Sequence, residues 1–201
     1  MTRFGYVMVT YFAAMGVAIA AFVPTPTKLI WNATASAPIG LYTVEPAARI
    51  EVPDLVAVMP PEPLATFMVQ RGYVGRGVPL LKRVVGLPGQ RVCRIGRTIT
   101  VDGIEMGEAL ERDRIGRELP VWQGCRVIGD GEIFLLNWEV RDSLDGRYFG
   151  PIPATSVIGR AVPLWTDEDG VGRYEWRAPT RRLRQAGVLH GIYRPVNPQR
   201  R

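Results

Sequence analysis

Lys82 is the residue whose type and surroundings most strongly suggest chemistry. Only two of the 25 basic residues are lysines, Lys28 and Lys82, and the others are arginines. Lys82 stands in the largely apolar stretch PLLKRVVGLPGQ, residues 79–90. Arginine keeps its charge in any protein, whereas a lysine can release its proton when it is removed from water. A lysine in such a stretch is therefore a candidate general base.

Ser36 is the candidate nucleophile that this base would serve. It lies in NATASAPIGLY (residues 32–42), where Pro38 and Gly40 predict a tight, exposed turn. A serine hydroxyl is a poor nucleophile until a neighbouring base takes its proton, and burial can lower the pKa of a lysine by up to ~3–5 units. On composition alone, a turn serine and a surface lysine remain the simpler interpretations.

Other hydrolytic machinery is scarce in this sequence. There are three serines, Ser36, Ser143 and Ser156, and one histidine, His190, which lies in a basic C-terminal region. A Ser–His–Asp triad would depend on that histidine, and neither a GxSxG nor an SxxK motif occurs. No CxxC pair or His/Cys cluster indicates a metal site, so neither a metal nor another cofactor is expected.

The N-terminal region predicts a membrane anchor. Phe4 to Val23 contains no charged residue, and a helix of about 20 residues spans about 30 Å, the thickness of the hydrocarbon core of a bilayer. The segment is too long for the ~7–15-residue core of a cleavable signal peptide. Arg3 and Lys28 nearly balance the flanking charge, and the large domain that follows favours a single-pass anchor with that domain outside.

The rest of the chain predicts a mainly β domain. Strand-length runs rich in Val, Ile, Leu and Thr are separated by Gly and Pro. These runs are residues 54–59, 80–87, 91–103, 132–138 and 156–165. The tripeptide VDG (101–103) predicts a hairpin turn, and only residues 107–119 resemble a helix or a polar loop. We divide the chain into an N-terminal region and anchor (1–23), a β-rich domain (24–176) and a basic tail (177–201).

Charge and cysteine content narrow the partners and the compartment. The net charge of +6 comes from residues 177–201, which hold seven arginines and no acidic residue, so the rest of the chain carries a net charge of −1. Such a tail can contact anionic lipid or nucleic acid, or it can simply be solvated. No other feature of the sequence suggests nucleic-acid recognition. Cys93 and Cys125 are compatible with one disulfide in an oxidising compartment or with two buried thiols.

Four motifs resemble the conserved boxes of the type I signal peptidases. They occur in the family's order as SAPIG (36–40), DLVAVMPP (54–61), LLKRVVGLPGQ (80–90) and SLDGRYFGP (143–151). The S-x-P-x-G-L-Y form of the first box and the RYFGP ending of the last resemble most the conjugal-transfer (TraF-type) signal peptidases. The resemblance implies a signal-peptidase-like β-rich catalytic domain on one N-terminal transmembrane helix, in the inner membrane with the catalytic domain on the periplasmic face.

The resemblance also implies roles for individual residues. Ser36 corresponds to the nucleophile and Lys82 to the general base of a Ser/Lys dyad. Ser143 falls where a serine orients the lysine, while Asp145 and Arg147 correspond to the carboxylate and the arginine that brace the site.

Two further groups follow from the same resemblance. The Thr34 hydroxyl, two residues before the nucleophile, would join the Ser36 N–H in stabilising the oxyanion. The substrate would pair with the strand edges on either side of the dyad. The residues expected to contact it are Ala33, Pro38, Pro79 and Leu81.

The chain departs from the family pattern in two places. Gly146 stands where the family's S-x-D-S-R has its second serine, and NWEVRD (137–142) replaces the G-D-N-R run of the housekeeping enzymes. Both departures favour a specialised enzyme over a general one.

The implied function is that of a membrane-anchored serine endopeptidase that cleaves, or cyclises, a pilin-like preprotein in conjugative transfer or type IV secretion. The expected partners are that preprotein and membrane lipid. One alternative is a general signal peptidase that removes signal peptides from exported proteins. The other is a non-catalytic scaffold of a secretion assembly.

Overall fold

The computed structural model describes residues 2–22 and 26–179, and the second range is built mainly from β-strands. In chain order the strands are β1 (Leu29–Asn32), β2 (Ile39–Glu45), β3 (Leu55–Val58), β4 (Leu80–Gly86), β5 (Arg91–Ile95), β6 (Thr98–Val101), β7 (Ile104–Glu108), β8 (Gly124–Val127), β9 (Glu132–Leu135), β10 (Ile152–Pro153), β11 (Val157–Asp167) and β12 (Glu175–Trp176). The helices are α1 (Arg3–Phe22), α2 (Leu64–Gln70) and α3 (Gly146–Phe149). The predicted mainly β fold class is confirmed.

One eight-stranded sheet carries both candidate catalytic regions. Its order is β1-β2-β11-β3-β4-β9-β10, with β12 paired to β11, and all of its pairings are antiparallel. β1 is an edge strand, and the loop between β1 and β2 contains Ser36. β4, which contains Lys82, lies inside the sheet between β3 and β9.

β4 is covered by apolar side chains on both faces. Leu81 packs in a cluster with Ala37, and Val84 packs in a different cluster with Val56. A short, nearly continuous apolar run is the expected sequence of a strand that is buried on both sides. Every residue of β4 after Leu80 is buried, so the strand carries Lys82 into the protein interior.

A second sheet has the order β7-β6-β5-β8. Cys93 on β5 and Cys125 on β8 are register partners, and their sulfur atoms form a disulfide. At the end of β6, Asp102 and Gly103 have φ angles of 49° and 80°. Two consecutive positive φ values are the requirement of a type I′ hairpin turn. The hairpin predicted from VDG is therefore confirmed.

The structure decides between the two expectations for residues 107–119, and it adds one helix that was not predicted. Residues 107–119 form no helix: β7 ends at Glu108, and the remainder is a loop closed by a bridge between Arg112 and Glu118. The short helix α2 lies between β3 and β4 and was not predicted, since its two turns are preceded by prolines and lack a side-chain cap.

The N-terminal helix α1 contains Phe4–Phe22 of the predicted anchor, and most of its large apolar side chains, such as Phe4 and Val17, are exposed. Val23, the last residue of the predicted anchor, lies outside the described residues. Within residues 2–22 and 26–179, no helix combines the length and the hydropathy needed to cross a membrane. The single-pass anchor thus stays a prediction, as do the domain limits. Most of the predicted basic tail, from Thr180 onward, lies outside the described residues.

Candidate active site

The loop that carries Ser36 is held in place by the buried side chain of Asn32, the last residue of β1. Asn32 Nδ2 lies 2.8 Å from the carbonyl oxygen of Thr34 and 3.0 Å from those of Ala37 and Pro38, in position to donate to each. Buried polar groups of an irregular loop need such partners. Ser36 is half-buried at the surface of this fixed loop.

The hydroxyl groups of the loop form a chain with a defined direction. Asn32 Oδ1 accepts from the Thr34 N–H at 3.2 Å and from Thr34 Oγ1 at 2.9 Å. Thr34 Oγ1 also lies 3.2 Å from Ser36 Oγ. Because a hydroxyl has one proton and Thr34 gives its own to Asn32, Ser36 must be the donor in this contact. The Ser36 proton therefore points toward Thr34.

Lys82 is a buried lysine that donates a hydrogen bond to a serine. The residue is only 3% exposed, and its Nζ donates to Ser143 Oγ at 2.7 Å. Burial lowers the pKa of Lys82 to about 8, against the raising effect of the Asp145 charge and with a smaller lowering effect of Arg147. A substantial fraction of Lys82 is consequently neutral at mildly alkaline pH.

Asp145 and Arg147 form a buried ion pair that shapes the segment carrying Ser143. Arg147 Nη2 and Nε donate to the Asp145 carboxylate at 2.8 and 2.9 Å, and Asp145 also caps α3 by accepting from the Arg147 N–H. The guanidinium further donates to backbone carbonyls at 2.7–3.3 Å. Those carbonyls belong to Asn137, Val140, Arg141 and Ser143. A buried pair with this many partners fixes the loop around it.

The glycine at position 146 has a steric explanation. A Cβ atom there would lie 2.5 Å from Phe134 Cε2 and 2.6 Å from the carbonyl oxygen of Leu135. Neither contact is possible without a shift of the core, so the serine of the family pattern does not fit this packing. The departure noted in the sequence is thus a packing adjustment between α3 and β9.

Asn137 is a site residue that the sequence analysis did not single out. Its Nδ2 donates to the carbonyl oxygen of Ser36 at 2.5 Å and to that of Leu81 at 3.1 Å. Its Oδ1 accepts from the Arg83 N–H at 2.9 Å. Asn137 therefore connects the Ser36 loop to the backbone on both sides of Lys82. It begins the NWEVRD stretch that departs from the family pattern, which is the signal that could have drawn attention to it.

The structure thus brings the predicted dyad residues into one region, but no hydrogen bond joins Ser36 Oγ to Lys82 Nζ in the described part of the chain. Catalytic hydrogen bonds are often absent before substrate binds.

The expected substrate contacts differ in exposure: Ala33 is exposed, Pro38 and Pro79 are half-buried, and Leu81 is packed in the core. No group of three metal-ligating acidic, cysteine or histidine side chains occurs among the described residues.

Comparison with known proteins assigns the chain to a family. The family model described as signal peptidase, peptidase S26, matches residues 1–165. The conjugal transfer protein TraF of Agrobacterium fabrum is 37% identical over 147 residues, which cover 67% of this chain and 81% of that protein. A plasmid transfer protein TraF of Escherichia coli is 31% identical over 147 residues, covering 67% and 82%.

Among solved structures, a crystal structure of a signal peptidase I from Enterococcus faecalis is 23% identical and covers 56% of this chain and 98% of that one, with a TM-score of 0.33. The family match extends over most of the chain, including both candidate catalytic regions. The protein therefore belongs to the peptidase S26 family of signal peptidases.

Proposed function

We propose that the protein is a membrane-anchored serine endopeptidase in which Ser36 is the nucleophile and Lys82 the general base. The observation that carries the proposal is the burial of Lys82, which lowers its pKa to about 8. Its contact with Ser143 and the link from Asn137 to the Ser36 loop add support. A surface lysine would have neither the burial nor these partners.

The reaction needs only groups of this chain, the substrate and water. Neutral Lys82 takes the Ser36 proton while Oγ attacks the scissile carbonyl, and the resulting ammonium returns the proton to the leaving amine. The C–N bond breaks and an acyl-enzyme remains. Water, with Lys82 again accepting its proton, then releases the carboxylic product and free Ser36. If an amine of the substrate attacks instead, a new amide forms and the product is cyclic or ligated.

The oxyanion of each step would lie against the Ser36 N–H and the Thr34 hydroxyl. For Thr34 to donate there, its proton must leave Asn32 Oδ1, where it points in the unbound state. Asn32 would keep the bond from the Thr34 N–H at 3.2 Å, so its oxygen is not left without a partner. A donor of this kind typically contributes 10²–10³ in rate.

The substrate would bind as an extended segment next to the catalytic loop. β1 is an edge strand, and Pro79 immediately precedes β4, so backbone groups near Ala33 and Pro79 are available for β-augmentation. Pro38 borders the same loop, and Leu81 closes the site from the core side. Small side chains before the scissile bond suit this arrangement.

A pilin-like preprotein in conjugal transfer is the substrate class we favour, because both transfer proteins named above share most of their length with this chain. The Cys93–Cys125 disulfide is typical of a periplasmic domain. An anchor formed by α1 would hold the catalytic domain at the outer face of the inner membrane.

An exposed aromatic cluster supports contact with lipid on that face. Trp31 and Trp165 flank Tyr174 with ring centroids 6.3 and 4.7 Å away, and Trp176 is the register partner of Trp165. The three tryptophans are 44–66% exposed. Tryptophan and tyrosine side chains are favoured at the level of lipid headgroups.

The test is cleavage of a membrane-embedded pilin precursor from the same transfer system. Wild type, Ser36→Ala and Lys82→Ala are compared, and the products are weighed by mass spectrometry. Cleavage by the wild type alone after a small residue would support the dyad, and the product mass distinguishes hydrolysis from cyclisation. Retained activity in either variant would reject the dyad. Wild-type cleavage of a generic secretory precursor but not of the pilin precursor would indicate a general signal peptidase.

A further inference from the structure

Asn137 occupies an unusual position between two elements that are distant in sequence. It is 5% exposed and lies two residues after the end of β9, where that strand leaves β4. Its amide meets the Ser36 carbonyl across a separation of 101 residues, as well as the Leu81 carbonyl and the Arg83 N–H. Both amide protons and one lone pair of this side chain are therefore used.

The two contacts on β4 have a structural explanation. The Leu136 N–H bonds to the Arg83 carbonyl at 2.9 Å, and beyond it the backbone of β9 turns away. The Asn137 side chain then satisfies the Leu81 carbonyl and the Arg83 N–H, in the manner of a continuing strand. Those groups flank Lys82, so the side chain holds the backbone on both sides of the base.

The contact with Ser36 is not explained by strand continuation. The Ser36 carbonyl belongs to the loop between β1 and β2, and Asn32 already satisfies the carbonyls of Thr34, Ala37 and Pro38 within that loop. The Ser36 carbonyl is held instead by Asn137, just after β9, through the same nitrogen that binds the strand of Lys82. One amide nitrogen thus joins the residue of the nucleophile to the neighbour of the base.

Resting on the function proposed above, we infer that Asn137 is a positioning residue that sets the separation of Ser36 and Lys82. It touches neither the substrate nor the reacting atoms. Its role is to keep the Ser36 loop from moving away from β4, so that Oγ can rotate into reach of Nζ when substrate arrives. A displacement of about 1 Å in such a pair can reduce the rate about 10²-fold.

The proposal predicts that loss of the Asn137 side chain lowers kcat and leaves KM nearly unchanged. In Asn137→Ala the loop loses its link to β4, and kcat on the membrane-embedded pilin precursor should fall about 10–100-fold. KM should stay within about twofold, because the strand edges that bind substrate are unchanged. The pH at which the rate is half-maximal should remain that of the wild type, because Lys82 is still buried.

Two further variants separate positioning from a loss of stability. Asn137→Asp keeps the size and the acceptor for the Arg83 N–H but cannot donate to Ser36, so its kcat should also fall. Gln90→Ala is the matched control, because the Gln90 amide accepts from the Leu87 N–H at 2.8 Å just beyond the far end of β4. It should lower the unfolding midpoint and leave kcat unchanged.

All variants are assayed as full chains well below their unfolding temperatures. Wild-type kcat in Asn137→Ala would overturn the positioning role, as would an equal loss in Gln90→Ala. If Asn137→Ala does not fold, Asn137→Asp decides in the same way. Ser36→Ala and Lys82→Ala are assayed in the same series. If they retain activity, both the dyad and the positioning role of Asn137 are rejected. If only the Asn137 variants keep the wild-type kcat, the positioning role is rejected and the dyad stands.

Discussion

Replacing Lys82 by methionine should make the protein more stable at neutral pH, although it removes the proposed base. Burial lowers the pKa of Lys82 from 10.5 to about 8. The gap between these values corresponds to a cost of about 3 kcal/mol for keeping the ammonium charged in the folded state. Since the folded-state pKa is the lower one, this cost is fully present below pH 8 and disappears as the pH rises toward 10.5.

The net gain in Lys82→Met is smaller than this cost. Methionine has nearly the same length and fills the same space, but the bond from Nζ to Ser143 is lost. A hydrogen bond of this kind contributes about 1 kcal/mol, so the expected gain at pH 7 is about 2 kcal/mol. For a chain of this size that corresponds to an increase in Tm of about 4–8 °C.

Denaturant unfolding of the full chain in detergent, with the disulfide intact, measures this difference at pH 7 and pH 10. The advantage of Lys82→Met should vanish at pH 10, because wild-type Lys82 has then lost most of its charge. Lys28→Met is the matched control, since Lys28 is exposed and is the other lysine of the chain. If Lys82→Met is less stable than wild type at pH 7, or has the same advantage at both pH values, the stability cost assigned to the buried Lys82 ammonium is refuted.

Three further outcomes are expected. The rate of precursor cleavage should rise with pH through about 8 and level off above it, as Lys82 becomes neutral. A cleavage rate that does not change between about pH 7 and 9.5 would exclude a titrating base. Thr34→Val should lower kcat about 10²–10³-fold with an unchanged unfolding midpoint, and an unchanged rate would remove Thr34 from the oxyanion site. Gly146→Ser should cost about 1–3 kcal/mol in denaturant unfolding, because its Cβ would meet Phe134; wild-type stability would show that α3 can move away from β9.

Local patterns predicted the strands because the strand signal is local. The apolar runs at 54–59 and 80–87 became β3 and β4, and the VDG turn needed only the φ preferences of Asp102 and Gly103. The short helix α2 escaped prediction because seven residues give too few turns for a periodic pattern. Residues 107–119 have a polar composition that suits a helix surface or a loop equally well.

The site was predictable where residue type or a family motif pointed to the residue. Ser36 and Lys82 were candidates from their types and surroundings, whereas Ser143, Asp145 and Arg147 came from the resemblance. The structure groups these residues around β4 and the start of α3. The two asparagines that connect the site were not predicted. An asparagine at a strand end is usually interpreted as a turn residue, and the partner of Asn137 lies 101 positions away.

For the proposed dyad, the direction of the hydroxyl chain indicates what substrate binding would have to change. Ser36 donates to Thr34, and Thr34 donates to Asn32, so neither proton points where the proposed mechanism needs it. A substrate carbonyl beside the Ser36 N–H would attract the Thr34 proton, while Oγ of Ser36 turns toward Lys82. Asn32 keeps its bonds to the backbone throughout, so the loop need not move. In this mechanism, substrate binding would reorient two hydroxyl groups on a fixed backbone, which would require the Ser36 loop and β4 to be held together beforehand.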